Sequence, residues 1–65
     1  MITINGRQAE WREEMTVRDL LVEHQFTSPR IIVKVNNELI RKKDWDSYRV
    51  QDGDDVRAIH MIAGG

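Results

Sequence analysis

Few side chains in this sequence are equipped for chemistry. Cysteine is absent, which removes thiolate nucleophiles, disulfides and zinc–cysteine sites together. The two histidines, His24 and His60, have no second ligand at a metal-binding spacing, so each reads as a surface or half-buried structural residue. Asp52, Asp54 and Asp55 crowd their carboxylates into one stretch, but the ligand spacing and closing glutamate of a calcium loop are missing. A solvated turn is expected there. Ser28 and Ser47 show no nucleophile signature, and no acid–base pair is discernible. Asn5-Gly6 and Asp52-Gly53 are turn signals rather than a phosphate loop. What remains is the end of the chain, Ala63, Gly64 and Gly65, small residues that lead to a carboxylate. Glycine has no Cβ, so such a segment can enter a narrow slot and leave its terminal carbonyl open to attack from both sides. An incidental frayed end can have the same composition. The elements before the tail must decide between the two.

The chain has 65 residues, 40% of them apolar and 32% charged, with a formal charge of -1 from ten basic and eleven acidic side chains. A domain of this size buries only about 60% of the surface exposed by its unfolded chain, which leaves little room for a deep active site. There is no basic excess for nucleic acid and no polybasic run for an anionic membrane, so protein partners are expected. The start, MITINGRQ, lacks the regions of a secretion signal, and no apolar run approaches the roughly 20 residues of a membrane span. A cysteine-free small domain suits a reducing compartment. A cytoplasmic location is expected.

Ile2 and Ile4 alternate with polar residues as in a half-buried strand. Asn5-Gly6 then supplies the positive φ angles of a tight hairpin turn, which makes residues 7–11 the returning strand. Thr16 with Asp19 resembles a capping box, and Val17, Leu20 and Leu21 form the apolar stripe of a short helix. The helix should stop near Gln25, ahead of Thr27-Ser28-Pro29. Residues 30–35 are rich in β-branched side chains, with Ile31, Val33 and Val35 on one face. Asn36-Asn37 marks a turn, and Leu39-Ile40 a short strand. Residues 41–48 form a loop with a helical turn anchored by Trp45. Trp11, like Trp45, reads as a packing residue. After the turn at residues 51–54, a last strand runs from about 55 to 62. Strands on both sides of one helix define an α+β protein, a ubiquitin-like β-grasp with a mixed sheet of four to five strands packed on the helix. Residues 1–62 are the expected domain and residues 63–65 a flexible C-terminal tail.

With that order in place, the sequence resembles the ThiS family of sulfur carriers over almost its whole length. The most specific stretches are Val50-Gln51-Asp52-Gly53-Asp54, the apolar run-in to the tail, and the ending Ile62-Ala63-Gly64-Gly65. Val35-Asn36, Leu39-Ile40 and Trp45 are also similar to the middle of that family. Arg57 and His60 depart from it, standing where apolar or neutral residues would be unsurprising. The resemblance implies a protein that is not itself an enzyme and binds no cofactor. An E1-like adenylating enzyme of the ThiF type would use ATP and magnesium to activate the Gly65 carboxylate. A persulfide, from a donor such as a cysteine desulfurase, would then lead to a thiocarboxylate. Thiazole synthase of the ThiG type would take its sulfur for thiamin. Other acceptors (molybdopterin, transfer RNA or amino-acid synthesis), a ubiquitin-like modifier and a plain docking module stay open at this point.

A docking surface should lie on the sheet face away from the helix. If Val56, Ala58 and Ile62 face the helix, alternation puts Arg57, Ile59 and Met61 on the open face, with Ile32 on the neighbouring strand joining them. An apolar patch on a polar sheet face is a signature of a protein interface. The competing reading is that these residues only pack against long neighbours such as Lys34.

Overall fold

The computed structural model describes residues 1–26 and 30–61. The elements follow in the order β1 (Ile2–Ile4), β2 (Arg7–Ala9), α1 (Val17–Glu23), β3 (Ile31–Val35), β4 (Glu38–Ile40) and β5 (Asp55–His60), with a 3-10 turn at Lys42–Asp44. The strands form one mixed sheet in the order β2-β1-β5-β3-β4. Strands β1 and β5 run parallel at its centre, while the β1–β2, β3–β4 and β3–β5 pairs are antiparallel. This is the expected α+β, ubiquitin-like β-grasp, with five strands and one helix among the described residues.

Both hairpins turn on asparagine. Asn5 and Gly6 have φ of 51° and 83°, and Asn36 and Asn37 have φ of 50° and 70°. Positive φ at both central residues gives the turn whose twist matches the flanking strands. The return strand is shorter than the expected 7–11, because β1 has only three residues and its ladder ends at Ile2 opposite Ala9. Trp11 leaves the sheet, and its indole N–H donates to the Val50 carbonyl at 2.8 Å.

Helix α1 starts on the expected capping box. The Thr16 hydroxyl accepts from the Asp19 N–H, and the Asp19 carboxylate accepts from the Thr16 N–H, both at 3.1 Å. Val17 and Arg18 donate their backbone N–H groups to the Tyr48 and Trp45 carbonyls. The first-turn donors that a helix leaves orphaned are thereby satisfied, and the 45–48 loop is tied to the helix. At the other end Gln25 adopts φ 61°. Its N–H reaches the Val22 carbonyl and that of Phe26 the Leu21 carbonyl, the paired bonds of a Schellman stop. Backbone capping at Gln25 ends the helix, while Thr27, Ser28 and Pro29 lie outside the described residues.

The helix covers one face of the sheet. Ile2, Ile4, Val33, Val35 and Val56 pack from the strands against Val17, Leu20 and Leu21, and Met15, Trp45 and Val50 close the sides. No polar or charged residue among those described is buried. Among the described residues no helix is long and apolar enough to cross a membrane.

Candidate partner surface and tail exit

The strand that leads to the tail is held on both flanks by turn asparagines as well as by its neighbours. Beyond the end of β1, the Asn5 side chain takes the Ala58 N–H at 2.9 Å and donates to the Ala58 carbonyl at 3.2 Å. One side-chain amide thus stands in for the next residue of the parallel ladder. At the opposite end, Asn36 accepts from the Asp55 N–H and donates to the Asp54 carboxylate, both at 2.9 Å. Strand β5 ends at His60, opposite Ile31, and one further bond runs from the Met61 N–H to the Arg30 carbonyl. The strand expected to reach residue 62 is therefore described to residue 60, where its ladder with β3 closes. Ile62 and the tail residues Ala63, Gly64 and Gly65 lie outside the described residues, and with them the expected flexibility of the tail.

Alternation along β5 places Val56 and Ala58 under the helix and leaves Arg57 and Ile59 on the other side. Ile59 is 41% exposed and Met61 58%. Ile32, half-buried, stands directly across from Ile59. Lys34 lies between Arg57 and Leu39 in register, so the four residues named from the sequence do share the open face and its tail-ward end. Arg57 also lies 3.6 Å from the Asp55 carboxylate. Leu39, 53% exposed, belongs to the same face and was missed by the sequence reading. A strand of three residues offers no alternation to read, and only the register opposite Lys34 reveals its side. Beside these residues a shallow depression runs between the ends of β3 and β4, lined by Ile32, Leu39, Trp45 and Met61 with Arg41 and Lys42 at its rim. Trp45 forms part of its floor, fixed by its indole N–H on the Ile40 carbonyl at 3.1 Å and by Arg18 over the ring.

The groups whose ionisation the fold biases sit elsewhere. Hydrogen bonds from the Thr16 backbone and hydroxyl segment hold the Asp19 carboxyl below its ordinary range. Pairing with Arg12 does the same for Glu23 and raises the guanidinium in turn. Burial pushes the Tyr48 phenol up. His24 and His60 are exposed, and no cluster of metal-ligating side chains occurs among the described residues. The aspartates of the 52–55 turn bond within the protein: Asp52 with the Met1 ammonium, Asp54 with the Gln51 N–H and Asn36, Asp55 with the Thr3 hydroxyl. Among the described residues, the open face therefore presents exposed apolar side chains beside Lys34 and Arg57, and no metal-ligating cluster.

A ubiquitin-like β-grasp whose last strand is followed in the sequence by a Gly-Gly end is the class of protein defined here. The ThiS family model matches residues 2–65. The chain belongs to the ThiS family. It is 30% identical over 66 residues to the sulfur carrier protein ThiS of Bacillus subtilis (strain 168), with 100% of both chains covered. It is 33% identical over 64 residues to part of a thiazole synthase of Paramagnetospirillum magneticum, a match spanning 98% of this chain and 20% of that enzyme. Among solved structures, the thiamine biosynthesis protein ThiS of Geobacter metallireducens superposes with a TM-score of 0.81 at 25% identity, covering 98% of this chain and 97% of that one.

Proposed function

We propose that this protein carries sulfur for thiamin biosynthesis on the carboxylate of Gly65. The observation that carries the reading is the ThiS match through residue 65 on a fold whose central strand, β5, is the last described element before that residue in the sequence. A free carboxylate is a poor acyl donor, so it must first be activated. Attack of the Gly65 carboxylate on the α-phosphorus of ATP expels pyrophosphate and forms an acyl-adenylate. A persulfide sulfur then attacks the acyl carbon, the acyl–phosphate bond breaks, and AMP leaves. A thiol cleaves the resulting acyl disulfide, becomes oxidised to a disulfide, and releases the thiocarboxylate. The charges that develop during these steps fall on groups that a partner enzyme must hold, with magnesium on the phosphates. The carrier supplies the acyl group and a docking face, Arg57, Ile59, Met61 and Ile32 with Leu39.

The partners in this reading are a ThiF-type adenylating enzyme, a sulfur donor such as a cysteine desulfurase, and a ThiG-type thiazole synthase. The third draws support from the thiazole synthase of which one part resembles this chain. The test is intact mass after incubation with ATP, magnesium, the adenylating enzyme and a sulfur source. One oxygen-to-sulfur exchange should appear and map to Gly65, and a chain ending at Gly64 should show none. An unmodified chain beside a demonstrably active partner, or an adduct on lysine, would end the sulfur-carrier reading.

A further inference from the structure

The net charge of -1 conceals an uneven distribution along the sheet. At the end where β5 begins, Asp52, Asp54 and Asp55 are all engaged in hydrogen bonds or ion pairs within the domain. At the end where β5 finishes, Arg41 and Lys42 are exposed and have no ion pair among the described residues. They rim the depression floored by Ile32, Leu39, Trp45 and Met61. Two exposed cations without an ion pair, beside an apolar floor from which Leu39 and Met61 stand out into solvent, are an arrangement that folding does not need. Their like charges stand side by side in solvent without a compensating ion pair among the described residues.

We propose that this rimmed depression binds an acidic segment of a tail-engaging partner enzyme, with carboxylates against Arg41 and Lys42 and one apolar side chain on the floor. The proposal rests on the carrier reading, because it assigns the partner's contact beside the route to Gly65. Charge complementarity selects the occupant: an acidic protein segment pairs with the rim, whereas a second copy of this chain would set cations against cations if the same faces met. Exposed charges of this kind act mainly on encounter, over the roughly 10 Å for which a field survives at 0.1 M salt. The apolar floor acts on residence, since affinity differences within one interface fall mainly on dissociation.

The two contributions separate by kinetics. Association of the full chain with the adenylating enzyme, and separately with thiazole synthase, is measured at low and high sodium chloride for wild type, Arg41→Glu/Lys42→Glu and Leu39→Ala. For at least one enzyme the double reversal should slow association about tenfold at low salt, with most of the difference lost at high salt. Leu39→Ala should leave association nearly unchanged and speed dissociation. The substituted side chains are exposed, and thermal unfolding verifies that each variant is folded. Association rates equal to wild type for both enzymes would overturn the proposal. So would concentration-dependent self-association of wild type that the reversal abolishes, because it would assign the surface to a second copy. Sulfur gain at Gly65, followed by mass in parallel on wild type, distinguishes the readings. Sulfur gain with association indifferent to the reversal sinks this surface alone, whereas salt-dependent association without sulfur gain sinks the carrier chemistry and leaves the surface standing.

Discussion

The two faces of the sheet are made of the same kinds of side chain put to opposite uses. Under the helix, Val33, Val56 and Leu20 are fully buried within the apolar core. On the open side, Ile59, Leu39 and Met61 remain in water beside Lys34 and Arg57. Hydrophobicity alone does not distinguish these sets; the register does. One face holds the domain together, and the other is the docking face of the proposed function. In so small a protein the division matters, because each large side chain kept outside is withdrawn from a core with few to spare.

The sharpest way to break the comparison is to truncate both faces equally. Leu20→Ala should cost about 2–5 kcal/mol in urea unfolding, since a cavity opens under the helix. Leu39→Ala on the open face should change stability by no more than about 0.5 kcal/mol. Equal losses would mean that the open face belongs to the core after all. The next effect concerns binding. Ile59→Glu should weaken affinity for the adenylating enzyme or thiazole synthase at least about tenfold, roughly 1.4 kcal/mol, while its thermal unfolding still reports a folded domain. Unchanged affinity for both would remove the face from the function.

Smaller effects test how the covering helix is held. Thr16→Ala removes the cap on the Asp19 N–H and should lower stability by about 1 kcal/mol by denaturant titration. Gln25→Gly relieves a side chain from positive φ and should raise it by about 0.5 kcal/mol, because glycine meets no Cβ penalty at a helix stop. The pH effect is smaller still. The Asp19 carboxyl is held below its ordinary range by the Thr16 bonds, so its contribution is fully present above the unfolded carboxyl value, near pH 4. That contribution fades as pH falls through the lower folded value. Unfolding midpoints followed from pH 6 downward should drop less steeply for Asp19→Asn than for wild type; parallel curves would refute the coupling.

Local signals made much of the fold legible. Asn5-Gly6, Asn36-Asn37, the Thr16–Asp19 box and the alternation of Ile31, Val33 and Val35 each have their cause within a few residues. What escaped lies between distant segments. The side chains of Asn5 and Asn36 brace β5 across 53 and 19 positions, and a turn signal says nothing of that second role. The short return strand depends on where its partner stops. Leu39 and the Arg41–Lys42 rim join the open face only through the β3–β4 register and the 3-10 turn. For the candidate site, Arg57, Ile59, Met61 and Ile32 followed from alternation, while Gly65 came from composition and family likeness and lies outside the described residues.

The central place of β5 has a mechanical consequence. The strand is gripped by β1 on one flank and β3 on the other, with Asn5 and Asn36 clamping it beyond the ladder. Ladder bonds lie across the strand axis, so a pull on the chain beyond Met61 loads many of them together in shear instead of peeling them one after another. An enzyme that draws in the end of the chain, or resists its withdrawal, would be hauling on an anchored line, and the tension would pass into the middle of the sheet rather than unravel its edge.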